Sequence, residues 1–288
     1  MSIDQRPIAV FDSGLGGLTV VRALRERLPG EAVIYFGDTA RVPYGPKSAE
    51  AVTRFTREIF HFLSRFEPKC IIAACNTASA VAVPELAGEF DVPVVGTVEP
   101  GAAAAAEASA GGLVAILATE ATIVSNQFRN AINRNNPRIP VVQKACPLFV
   151  PLVEEGRDDR NPVVRLTVAE YLEAVRRLRP AVAVLGCTHY PLLRGAISEF
   201  LGESVVLIDT AAATSAAVAD LLDRSGALST GVPRGRLFCY VSDNTQRFQS
   251  LSTRFLGHTI TDVVRICPEE FAILQPPAPE PTKLRVSV

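Results

Sequence analysis

This chain of 288 residues predicts an α/β fold of parallel sheets covered by helices on both faces. Short apolar runs alternate with amphipathic segments from Ile8 onward, and the alternation pauses near Glu99 before starting again. Two of the apolar runs also end alike, on a cysteine. Ile71-Ile72-Ala73-Ala74 leads into Cys75-Asn76-Thr77-Ala78-Ser79, and Val182-Ala183-Val184-Leu185-Gly186 leads into Cys187-Thr188-His189-Tyr190. Ligands of parallel sheets bind at the carboxyl ends of the strands, so two thiols delivered there predict a site with two similar halves facing each other.

Taken in order, residues 8–11 read as the first strand, and Asp12-Ser13-Gly14-Leu15-Gly16-Gly17 turns the chain into an amphipathic helix over 18–28. These glycines miss the GxGxxG spacing, which speaks against a dinucleotide site. The loop still offers free N–H groups to an anion. Asp12 reads either as a helix N-cap or as a carboxylate that holds a cation or orients an acid-base group. Residues 33–36 form the second strand and run into a long loop, 37–45, that carries Tyr44 and Gly45; such loops often hold binding groups. A helix over 48–66 follows, with His61 as a packing or surface residue, then the Cys75 strand, a helix from Thr77 toward Phe90 and a strand over 92–96.

After Glu99-Pro100-Gly101 an alanine-rich helix over 102–110 precedes a strand over 113–119, a helix over 125–133, a strand over 140–143 and a proline-marked loop over 146–151. A helix over 167–177 feeds the Cys187 strand. The remaining strands fall at 204–210 and 236–241 and the remaining helices at 216–222 and 245–255. Residues 275–281 are proline-rich without apolar periodicity and predict an extended tail.

Composition narrows the function. Lys+Arg 29 nearly cancels Asp+Glu 30, so no basic field points to nucleic acid or an anionic membrane. There is no signal-peptide pattern and no apolar run near the roughly 20 residues of a spanning helix, so a cytoplasmic location is expected. The six cysteines form no CxxC pair and are expected as reduced thiols. Cys70, Cys146, Cys239 and Cys267 sit in apolar or strand-like contexts and read as packing residues.

Cys75 and Cys187 differ because polar residues follow them at once. A nucleophile would want its own histidine, and Cys75 has none nearby. A metal would want three or four ligands, and only two thiols and one histidine are at hand, so no metal is expected. Moving a proton off one face of a tetrahedral carbon and onto the other needs two acid-base groups on opposite sides. Two thiols, with an ordinary pKa of about 8.5, supply them. Asp12 and His189 are the candidates to assist one thiol each, and Ser13, Asn76, Thr77 and Thr188 could bind carboxylates without adding charge.

The motifs Phe11-Asp-Ser-Gly-Leu-Gly-Gly-Leu-Thr19, Tyr35-Phe-Gly-Asp-Thr-Ala-Arg-Val-Pro-Tyr-Gly45, Ala74-Cys-Asn-Thr-Ala-Ser79, Cys146-Pro-Leu-Phe-Val-Pro-Leu-Val-Glu154 and Leu185-Gly-Cys-Thr-His-Tyr-Pro-Leu-Leu193 stand together in this order. In them the sequence resembles the glutamate racemase family over residues 7–266. The resemblance implies cofactor-independent interconversion of L- and D-glutamate, supplying D-glutamate for peptidoglycan. It implies two pseudosymmetric α/β domains with the site in the crevice between them, divided as 1–98 plus 209–267 and an inserted 99–208, with a tail over 268–288. Cys75 should take the α-proton from D-glutamate and Cys187 from L-glutamate, with Asp12, His189 and Glu154 assisting; Glu155, next to Glu154, competes for that assignment. Asp12, Ser13, Tyr44, Gly45, Asn76, Thr77, Thr188 and His189 correspond to substrate contacts. The expected partners are this small molecule and a second copy in a homodimer. The alternatives are a racemase or isomerase of another acidic substrate such as aspartate, or a non-catalytic protein that binds an acidic metabolite.

Overall fold

The computed structural model describes residues 4–229 and 234–272. Its strands are β1 (Ile8–Asp12), β2 (Val33–Gly37), β3 (Cys70–Ala73), β4 (Val94–Gly96), β5 (Val114–Ala118), β6 (Val141–Ala145), β7 (Val182–Gly186), β8 (Val206–Asp209), β9 (Leu237–Val241) and β10 (Val263–Arg265). They form two sheets, ordered β10-β9-β2-β1-β3-β4 and β6-β5-β7-β8, and every pairing is parallel. The two α/β domains therefore share one four-strand plan, with β2-β1-β3-β4 in the first matched by β6-β5-β7-β8 in the second. Residues of β1, β2, β3, β5 and β7 are buried throughout, as strands covered on both faces must be, which is why they read as unbroken apolar runs.

Proline explains two departures from the predicted elements. The helix expected from Thr77 toward Phe90 is split into Asn76–Val81 and Val83–Leu86, because Pro84 cannot donate to Ala80 and its ring opposes that carbonyl. The expected loop over 146–151 instead leads into a helix, Phe149–Glu154. Pro151 lies in its first turn, where a missing N–H leaves no bond unmade. The helices Glu120–Val124 and Arg194–Leu201 and strand β10 lie outside the predicted set.

The tail expected from residue 268 opens on a short helix, Pro268–Ala272, whose Phe271 is fully buried against Phe36 and Phe62. The proline-rich stretch 275–281 lies outside the described residues. His61 packs its ring on Phe90, as expected of a structural histidine. Among the described residues no helix is long and apolar enough to cross a membrane.

Candidate active site

Cys75 and Cys187 reach the site from equivalent places. β1 pairs β3 with Phe11 opposite Ala73, and β5 pairs β7 with Ala118 opposite Gly186. Extending both registers sets Ser13 beside Cys75 and Thr119 beside Cys187. Cys75 caps the helix Asn76–Val81, and Cys187 precedes a short 3-10 helix, Tyr190–Leu193. Both thiols line one cavity of about 380 Å³, a size suited to a small metabolite. Ser13, Tyr44, Gly45, Asn76, Thr77, Glu154, Thr188 and His189 line it too.

Asp12 is the predicted site residue that does not. It is buried behind Ser13, where Oδ2 accepts the Gly14 N–H at 2.8 Å and Oδ1 has no partner. Of its two readings the N-cap fails: the helix begins at Leu18, as predicted, after Gly17 and without a side-chain cap. Burial raises the Asp12 carboxyl above its ordinary pKa, against the opposing pull of His189 and of the Gly14 and Gly17 N–H groups.

The two thiols have different neighbours. Cys75 donates to the Ser13 hydroxyl at 3.4 Å, and burial, reinforced by the charge of Asp12, pushes its thiol up to about 12. Cys187 Sγ lies 3.9 Å from His189 Nδ1, and His189 Nε2 is 3.1 Å from Glu154 Oε1. Burial alone would discharge His189, but its hydrogen bonds to Cys187 and Glu154 outweigh that and raise it to about 10. At neutral pH both ring nitrogens therefore carry protons. Glu154 in turn is held below its ordinary value, since its contacts with His189 and the charge of Arg247 overcome partial burial. Of the two adjacent acids, Glu154 reaches His189 while Glu155 is exposed.

The two halves meet closely at the glycine loop. A Cβ at Gly16 would come within 2.6 Å of His189 Nδ1 and nearer still to the Thr188 hydroxyl, so only glycine fits there. The Thr77 and Thr119 hydroxyls, one from each half, hydrogen-bond to each other at 2.9 Å in the cavity lining. Thr119 is a cavity residue that motif reading missed. Its signal was its place as the hydroxyl at the end of a strand, matching Ser13 in the first half. The Tyr44 hydroxyl donates to Asp38 at 2.5 Å, and Asp38 also accepts from Arg41 and Ser242, so the loop bearing Tyr44 and Gly45 is tied down from behind.

Among the described residues, no three His, Cys, Asp or Glu side chains cluster so as to hold a metal ion. The arrangement can place one small molecule between two thiols, with hydroxyls and an amide around it.

A family model described as Asp/Glu/Hydantoin racemase matches residues 18–218. The glutamate racemase of Geobacter metallireducens is 47% identical over 261 residues, covering 91% of this chain and 96% of its own. A crystal structure of glutamate racemase from Thermus thermophilus in complex with β-chloro-D-alanine superposes with a TM-score of 0.84 at 44% identity, covering 93% of this chain and 100% of that one. One from Francisella tularensis in complex with D-glutamate has a TM-score of 0.86 at 36% identity, covering 93% and 99%. With this fold, and with one thiol standing at the same strand end in each half, the chain belongs to the Asp/Glu/hydantoin racemase family.

Proposed function

We propose that this protein interconverts L- and D-glutamate by a two-thiol proton transfer, in the cytoplasm, and so supplies D-glutamate for peptidoglycan. The observation that carries the reading is the delivery of Cys75 and Cys187 to one cavity from equivalent strand ends. The D-glutamate bound by the Francisella tularensis relative supports the choice of substrate.

Starting from L-glutamate, Cys187 takes the α-proton: the C–H bond breaks and an S–H bond forms. The electron pair left on carbon spreads into the α-carboxylate, which the hydroxyl and amide groups of Ser13, Asn76, Thr77, Thr119 and Thr188 would hold. Cys75, whose raised pKa keeps its proton in place, gives that proton to the opposite face. The product is D-glutamate with the two thiols in exchanged protonation states. Starting from D-glutamate the steps reverse, so Cys75 must first lose its proton and Cys187 must first gain the one it will deliver, from the adjacent His189. Asp12, a buried carboxylate with one free oxygen and a raised pKa, is the base placed to help. His189 steadies charge on Cys187, and Glu154 steadies His189. The chemistry is carried by side chains and calls on no cofactor.

The test is incubation with L-glutamate in D₂O, after removal of metals and pyridoxal phosphate, following α-proton exchange by NMR and handedness by circular dichroism. Loss of optical activity together with exchange is expected. Aspartate racemised in preference to glutamate would transfer the mechanism to the other substrate, and no exchange with either would leave an acidic-metabolite binder.

The domain division 1–98 plus 209–267 and 99–208 belongs to the same reading, as does a homodimer. Sedimentation equilibrium is expected to return twice the chain mass of 30.8 kDa, and a monomer at micromolar concentration would remove the dimer.

A further inference from the structure

We infer that the helix Thr245–Leu256 of the first domain positions the acid-base pair of the second, and that Arg254 is its principal positioning residue. This rests on the two-thiol reading above. Arg254 donates from Nη1 to the Val153 carbonyl at 2.8 Å and from Nη2 to the Arg157 carbonyl at 2.9 Å. Those carbonyls flank Glu154, the last residue of the helix Phe149–Glu154. The helix has six residues, too few to hold together unaided.

Its end is a Schellman turn. Gly156 sits at φ +83°, its N–H donates to Val153 at 3.0 Å, and the Arg157 N–H donates to Leu152 at 3.0 Å. Arg254 grips this turn from the other domain. A Cβ at Gly156 would lie 3.3 Å from the guanidinium, so the turn and the arginine fit each other.

The next residue acts on the other partner. Phe255 is buried and meets the His189 ring edge-on, with centroids 5.2 Å apart and planes at 79°. Consecutive residues of one helix thus hold Glu154 through the backbone that carries it and His189 through its ring. Neither lines the cavity. Arginine suits the task because its planar fork satisfies two carbonyls at once, which an ammonium on a flexible stem does not. Without it Glu154 drifts from Nε2, and displacements of about 1 Å in such constellations cost on the order of 10²-fold in rate.

The test compares Arg254→Ala and Arg254→Lys with the wild type by α-deuterium isotope effects on both enantiomers and by NMR titration of His189. Arg254→Ala is expected to lower kcat by about 10- to 100-fold. The isotope effect on kcat/KM should rise with deuterated L-glutamate and fall with deuterated D-glutamate, as it would if the Cys187 step alone had slowed. His189 should titrate at lower pH. Arg254→Lys, which keeps the charge and the packing stem, should fold even where the alanine variant does not and show the same skew at smaller amplitude. A lower melting temperature with wild-type isotope effects and His189 titration would overturn the inference. Should the wild type leave glutamate unchanged, the function proposed above falls while the His189 titration still decides the role of Arg254.

Discussion

Cys75→Ser and Cys187→Ser are each expected to lower turnover in both directions by at least about 10³-fold, equivalent to about 4 kcal/mol in the barrier. A serine hydroxyl fills nearly the same space, yet its proton is held too tightly for it to act as a base at neutral pH. The surviving thiol can still work alone on the face it meets. Cys75→Ser should therefore wash the α-proton out of L-glutamate without inverting it, and Cys187→Ser should do so for D-glutamate. NMR in D₂O separates the cases. Full turnover in either variant would make that thiol inert, and equal wash-out of both enantiomers would dismiss the facing arrangement.

His189→Asn is the second large effect, a fall in kcat of about 10²- to 10⁴-fold. Enantiomers have equal free energy in water, so kcat/KM for the two directions stays equal in any variant, and division of labour must be sought elsewhere. Isotope effects reveal it. If His189 serves Cys187, the variant should express a near-full α-deuterium effect from L-glutamate and a suppressed one from D-glutamate. Asp12→Asn should do the reverse, and unchanged ratios in both would count against separate roles.

The histidine also marks stability. Its folded pKa, raised to about 10 from 6.5, means that the folded protein binds this proton more tightly than the unfolded chain. The contribution is complete below about pH 6.5 and is lost as pH rises through about 10. Thermal melts should show the wild type losing more stability than His189→Asn across that interval, and parallel curves would contradict it.

Much of the site was legible because chemistry and local structure coincide in short motifs. Cys75, Asn76 and Thr77 follow a buried strand directly, as do Cys187, Thr188 and His189, so a reader of the sequence sees strand, thiol and hydroxyl together. Glu154 was harder to place. Pro147 and Pro151 disguise its helix as a loop, and only the fold shows which of two neighbouring acids reaches His189. Arg254 and Phe255 carried no signal, since their partners lie far along the chain and in the other domain. Asp12 was found but set too far forward, because a carboxylate before a glycine loop looks the same in sequence whether it faces the cavity or lies buried behind it.

The common strand order of the two sheets has a consequence for how the enzyme meets mirror-image substrates. Where the glycine loop touches Thr188 and His189, the halves bear on each other almost without slack. A small change in the angle between the sheets would then shift both sulfurs relative to the substrate together. Substitutions at Thr97 or Thr210, which follow β4 and β8 where the chain passes between sheets, would accordingly detune the handling of both hands at once, whereas those beside a single sulfur redistribute the difficulty between them.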